Sequence, residues 1–263
     1  MAIFDTFKPR KGYVELVNNS NSPLKHIKLG VLTLLKNKRY RSSTEMRETA
    51  VVVLSGTVYV SVQGKKYKLG KRKDVFSGKP EMIYIPINEV FEIKADKNSE
   101  LIITSALGKT KKRVIVKKGS ELKKRVAGRG YFERHIFDLL TANDDADALL
   151  MGETFHIDGG WSCIPPHKHD KDRLPLESNL EEVYFFKIMP ENGFGFERLY
   201  SEGEKFDKTW VLKNNSVLSM PFGYHALAVS PGYRLYYFWV LAGKKRILKQ
   251  FFDPRYDWLN KKK

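Results

Sequence analysis

Short apolar segments recur along the chain with Gly, Asn and Pro between them, and many of them alternate apolar with polar positions. In residues 48–70, ETAVVVLSGTVYVSVQGKKYKLG, the segments AVVVL, TVYVSV and KYKL read as strands joined by turns at Ser55-Gly56 and Gln63-Gly64. MIYIP and EVFEIKA continue the meander. A second series begins near residue 150: LLMGETFHI, EEVYFFKI, GFGFERLY, SVLSMPFGYHALAV and YRLYYFWVL. In both halves a Glu leads a strand, a Gly-containing turn follows, and a later strand ends in proline, Met82 to Pro86 in the first and Val217 to Pro221 in the second. The pattern predicts an all-β protein made of two copies of one small β-barrel, divided as residues 1–118 and 119–263. The basic stretch from Lys109 to Gly130 is the expected connector, and FERHIFDLLTA reads as either a strand or a short helix.

Composition changes this picture little. A hydrophobic share of 42% with 13% aromatic residues is that of a folded globular chain. The formal charge of +17 raises the question of nucleic acid, but the Lys and Arg residues fall in short scattered runs, without a helix-turn-helix, an RNP-type strand or a zinc knuckle. No nucleic-acid partner is expected; a small anionic substrate would benefit from the same field. No stretch is apolar for about 18 residues, so no membrane span is expected and the protein reads as cytoplasmic. The single cysteine, Cys163, excludes an internal disulfide and fits a reducing compartment. A homo-oligomer is left open.

The candidate chemistry lies in PPHKHDKDRLPLESNLEEVYFF, residues 165–186. Residues two apart on a strand share a face, so His167 and His169 project together and Lys168 points away. Glu182 opens the next strand with Tyr184 and Phe186 on its own face, and a hairpin would lay it beside the histidines. Glu181 competes for that place, and the facing of Tyr184 favours Glu182. His225, after a Pro-Phe-Gly turn, would return to the same cavity. The corresponding stretch of the first half, SSTEMRETAVVV, offers only carboxylates, so one barrel is expected to bind metal and the other to be structural. The residues DKDRLPLESNL form an insert, a candidate lid.

HKH, EEVYFF and PFGYH resemble the two motifs of cupins, whose three histidines and one glutamate hold a divalent metal inside a β-barrel. WSCIPPHKHD, LEEVYFF, GFGFERLY, PFGYHALAVSPGYRLYYFWVLAG and DPRYDWL, with GRGYFERHIFDLL as a weaker match, resemble the 5-deoxy-glucuronate isomerase family, bicupin enzymes of myo-inositol breakdown related to 5-keto-4-deoxyuronate isomerases. The resemblance implies two tandem jelly-roll-like cupin barrels and makes His167, His169, Glu182 and His225 the metal ligands. It also implies aldose–ketose isomerisation of a small sugar acid, 5-deoxy-glucuronate to 5-dehydro-2-deoxy-gluconate. Zinc is the favoured metal, with Mn, Fe and Ni compatible with the donor set. An iron-dependent cupin dioxygenase and a non-catalytic sugar-binding cupin are the alternatives.

Isomerisation through an enediol needs a proton carrier. In LLMGETFHI, Glu153 alternates with Met151, Phe155 and Ile157, an inward set in which a carboxylate requires a function or a partner, the partner being Arg198 for example. Arg198 shares parity with Phe194, Phe196 and Tyr200 and is a candidate clamp for the substrate carboxylate; the opposite reading puts Glu197 inward and Arg198 in solvent. Tyr184 is the candidate hydrogen-bond donor to a substrate oxygen, or simply packs. Cys163 reads as a small buried hydrophobe.

Overall fold

A computed structural model describes residues 3–156 and 158–261; Ile157 lies outside the described residues. Four antiparallel sheets form two barrels. In the first barrel, a six-stranded sheet (order Ile115–Lys117, Met82–Ile85, Arg47–Ser55, Ser99–Leu107, Lys28–Leu34, Gly12–Val17) faces a four-stranded sheet built on Thr57–Val62 and Val90–Ala95. In the second, the large sheet runs Ile3–Thr6, Ser216–Met220, Glu177–Met189, Arg234–Gly243, Leu150–His156, Arg134–Leu140, Arg125–Ala127. It faces a five-stranded sheet ordered Asp207–Leu212, Gly195–Tyr200, Tyr224–Val229, Gly160–Lys168, Phe251–Phe252. The all-β, two-barrel architecture holds, and FERHIFDLLTA contains a strand. One pairing was not legible locally: the strand Ile3–Thr6 joins the second barrel, through Ser216–Met220.

Local chemistry accounts for the turns. Gln63 and Gly64 both take positive φ, 51° and 70°, between the paired residues Val62 and Lys65, which is the two-residue hairpin that a right-twisted strand pair prefers. Gly56 has φ 86°, and a Cβ there would lie 2.3 Å from the Asn98 carbonyl oxygen, so this turn admits glycine alone.

The large sheets of the two barrels pack back to back. Leu29, Val31, Val52 and Ile102 from one side and Met151, Val183, Phe185, Phe238 and Val240 from the other share one buried cluster. Both faces of these central strands are therefore buried, which explains the unbroken AVVVL run. Paired carboxylates reinforce the junction. Glu48 of the first barrel accepts the backbone N–H groups of Asp147, Ala148 and Leu149 at 2.7, 2.8 and 2.6 Å, while Glu181 of the second accepts those of Lys25, His26 and Ile27 at 2.7, 2.6 and 2.6 Å. Each barrel thus anchors a loop of the other.

The interiors differ. Val51, Val53, Val58, Val60, Phe91 and Ile93 help fill the first barrel with apolar side chains. The second barrel interleaves an apolar cluster around Phe186, Leu199 and Leu227 with buried histidines and carboxylates.

Candidate metal centre

The strands Gly160–Lys168 and Tyr224–Val229 bring His167 directly opposite His225, with ring centroids 4.5 Å apart. His169 follows on the same face, 6.1 Å from His167 and 5.6 Å from His225 between ring centroids. From the facing sheet Glu182 places Oε2 at 3.0 Å from His169 Nε2 and 3.5 Å from His225 Nε2. All four residues are buried. Lys168 turns the other way and is sealed between Asp170 and Glu177, at 2.6 and 2.7 Å.

The donor chemistry suits a cation. His169 Nδ1 lies 2.8 Å from the Leu180 carbonyl oxygen; donating there leaves Nε2 to face Glu182 as a lone-pair donor, the arrangement that orients a metal-bound imidazole. His225 Nε2 is buried and has no hydrogen-bond partner. An orphaned imidazole nitrogen aimed at a carboxylate is costly unless something binds between them. Burial pushes His225 down to about 4, with Glu182 opposing, and burial with the neighbouring imidazoles holds His167 well below its usual value. Burial also works against charge on His169, but the Glu182 carboxylate outweighs it and raises that imidazole. Two of the three histidines are thus in the neutral form that metals bind.

The atoms form two overlapping triads rather than one compact set: His169, Glu182 and His225 in one, and Cys163, His167 and His225 in the other. His167 Nε2 is held 2.7 Å from Gln250 Nε2, a residue contributed by the chain's closing segment. Cys163 has φ 57°, and the strand register shifts between Ser162 and His167. Its thiol lies 3.5 Å from the Tyr184 hydroxyl, and burial, then the Glu197 charge, pushes it up to about 12.

Beside these groups opens a cavity of about 150 Å³, lined by Arg125, Arg134, Tyr184, Tyr237 and Trp239 as well as Cys163, His167, Glu182 and Gln250. Burial first raises the Tyr184 and Tyr237 hydroxyls well above their usual value, so both are neutral donors. Tyr237 Oη lies 2.6 Å from Ser162 Oγ.

Three expectations about the surroundings need correction. Glu153 does not face this cavity: its carboxylate accepts Arg72 Nη1 and Nη2 at 2.8 and 2.6 Å and the Tyr236 hydroxyl at 3.1 Å, in the junction between barrels. Alternation correctly put Glu153 on a buried face, but the strand Leu150–His156 is buried on both faces, and this one meets the other barrel. Arg198 lies on the outer face of its strand, bonded to Asp207 at 2.9 and 2.5 Å and stacked over Tyr200, so it holds no substrate group. The insert folds back through Arg173 and Lys168 onto Glu177 and contributes no residue to the cavity lining.

The inward member of the Glu197–Arg198 pair is Glu197. It is fully buried without a hydrogen-bond partner, and burial, then the Glu182 charge, raises its carboxyl well above the usual range. Glu181 is occupied by backbone donors of the first barrel and is unavailable as a ligand. Arg134 and Gln250 were not singled out from sequence. Arg134 lies within GRGYFERHIFDLL, but nothing local marks it, and Gln250 reaches the site only by tertiary folding.

A family model described as the KduI/IolB family matches residues 4–259. The chain belongs to the KduI/IolB family. It is 36% identical over 255 residues to the 5-deoxy-glucuronate isomerase of Geobacillus kaustophilus (strain HTA426), covering 96% of this chain and 92% of that protein. Among solved structures, an IolB-like protein from Salmonella typhimurium LT2 superposes with a TM-score of 0.94 at 26% identity, covering 98% of both chains. The two-barrel fold extends beyond the KduI/IolB family: Lactobacillus farciminis oxalate decarboxylase shares it with a TM-score of 0.69 at 12% identity, covering 99% of this chain and 90% of that one.

Proposed function

We propose that this protein is a divalent-metal-dependent isomerase that converts 5-deoxy-glucuronate to 5-dehydro-2-deoxy-gluconate in the cytoplasm, with the metal on His167, His169, Glu182 and His225. The observation that carries the reading is the buried convergence of three imidazoles and one carboxylate beside an arginine-lined cavity, in a chain whose relatives are named for that isomerisation. Zinc suits this donor set, and held by these residues it would supply Lewis-acid stabilisation of the negative charge that develops on the substrate oxygens.

The chain's own residues supply the rest. Tyr184 and Tyr237 are neutral hydroxyls on the cavity wall and donate to substrate oxygens. Trp239, fixed by a 3.1 Å bond from its Nε1 to Thr154 Oγ1, closes one side and excludes water. Glu197, a buried carboxyl raised well above its usual range by burial and then by the Glu182 charge, takes the place expected of Glu153 as the proton carrier of the site.

The test is incubation of the metal-loaded protein with 5-deoxy-glucuronate under nitrogen in deuterated water, followed by NMR. The expected result is ketone with solvent deuterium in the new methylene. No ketone under nitrogen but consumption in air would replace the reading by oxygen chemistry, and binding without turnover in either would make the protein a sugar receptor.

A further inference from the structure

The cavity has lining residues that the metal reading does not use. Of its lining residues only Glu182 is a carboxylate, and that group faces the imidazoles, whereas Arg125 and Arg134 bring two guanidinium charges. The two arginines are not equivalent. Arg125 is committed to Asp138 through Nε and Nη2 at 2.9 and 3.0 Å and is half exposed. Arg134 makes no ion pair among the described residues; its guanidinium donates from Nη1 to the Phe132 carbonyl oxygen at 3.1 Å, which fixes the group without neutralising it.

Its position is built into the fold. Arg134 starts the strand Arg134–Leu140 and shares the cavity face with Ile136. Gly128, at φ 77°, passes so close that a Cβ would stand 2.9 Å from Arg134 Nη1 and 2.0 Å from the Phe132 oxygen that anchors it. Any other residue there would displace the guanidinium or its anchor. The guanidinium lines the same cavity as Cys163, His167 and Tyr237. A planar cation with unspent donors, facing a small cavity without a free counter-ion, is a receptor for a carboxylate.

Building on the isomerase reading above, we infer that Arg134 receives the carboxylate of the sugar acid and sets the preference for an acid over a neutral sugar, while the histidine end takes the carbonyl. Arg134 then takes over the role that Arg198 cannot fill from the outer face of its strand.

The experiment compares the metal-loaded wild type with Arg134→Gln, Arg134→Lys and Arg125→Gln. Two substrates are used: 5-deoxy-glucuronate, and its neutral analogue with the carboxylate reduced to a primary alcohol. Sugar-acid binding by calorimetry is measured in parallel. Loss of one charged bidentate contact predicts a drop of about 100-fold in kcat/KM for the acid in Arg134→Gln, carried mainly by KM. Metal content and the rate on the neutral analogue stay within about threefold, since only the carboxylate contact is lost. Arg134→Lys restores part of the loss, and Arg125→Gln has a small effect. Equal losses on acid and neutral analogue, or no loss on either, overturn the inference. If the wild type binds the acid without turnover and Arg134→Gln abolishes that binding, the isomerase reading fails and this inference stands. Absence of binding to the wild type overturns both.

Discussion

Glu181 and Glu182 are neighbours on one strand and serve opposite interiors. The Glu182 carboxylate lies 3.0 Å from His169 Nε2 inside the second barrel, whereas Glu181 accepts three backbone N–H groups of the first barrel at 2.7, 2.6 and 2.6 Å. The pleat sends adjacent side chains to opposite faces, and both faces of this strand are buried. One residue belongs to the site and the next to the junction that holds the barrels together.

Their substitutions are expected to separate function from stability. Glu182→Gln should lose bound metal and turnover together while the metal-free protein unfolds at nearly the wild-type denaturant midpoint. Glu181→Ala should keep its metal but lose about 3 kcal/mol of stability, because three donors lose a charged acceptor. Metal analysis beside urea unfolding reads both; metal loss in Glu181→Ala would reverse the assignment.

Arg72 and Glu153 form a buried pair, with side-chain exposures of 2% and 0%. Removing one partner strands the other charge, so Arg72→Met or Glu153→Gln should each cost about 3–5 kcal/mol. The double variant Arg72→Met/Glu153→Leu should recover much of that loss. Turnover per folded, metal-loaded molecule should be unchanged in all three. A hundredfold fall in kcat at wild-type stability would return Glu153 to the reaction.

His156 gives a pH prediction away from the metal ligands. It is buried with both ring nitrogens unpartnered, and burial, then the charges of Arg134 and His135, lowers it to about 4. Between pH 4 and 6.5 the unfolded chain binds the proton that the folded chain refuses, so stability falls as pH drops through this window. The full contribution is about 3 kcal/mol. In His156→Leu the loss of stability between pH 7 and pH 4.5, measured by urea unfolding, should be smaller by about 2–3 kcal/mol. An identical pH profile would refute the assignment.

The overlapping triads make a further distinction testable. His225 belongs to both, while Cys163 belongs to one and keeps its thiol proton well above neutral pH. His225→Ala should therefore abolish metal binding, and Cys163→Ser should retain one equivalent. Loss of metal in Cys163→Ser would move the ion to the triad of Cys163, His167 and His225.

Much of this was legible in the sequence where chemistry is local. Turns at Gln63-Gly64, strands such as TVYVSV and the common face of His167 and His169 follow from backbone preference and a period of two. The failures share one cause. Glu153 and the Glu197–Arg198 pair required knowing what lies against each face of a strand, and periodicity reports which positions alternate, not what they meet. The lid expected of the insert failed similarly, because Lys168 and Arg173 hold Glu177 at the back of the histidine strand.

By itself the sequence determined the all-β class, the doubled barrel and the face on which a pair of histidines stands, because these depend on residues close together in the chain. Only the tertiary structure decided which interior each carboxylate enters, that Ile3–Thr6 crosses to the second barrel, and that Arg134 and Gln250 meet His167 across one cavity. Those outcomes depend on contacts between segments as much as 216 residues apart, as between Ile3 and Ser219. There the packing of two sheets back to back, rather than the preference of any one strand, sets whether a buried charge finds a partner or remains free to bind.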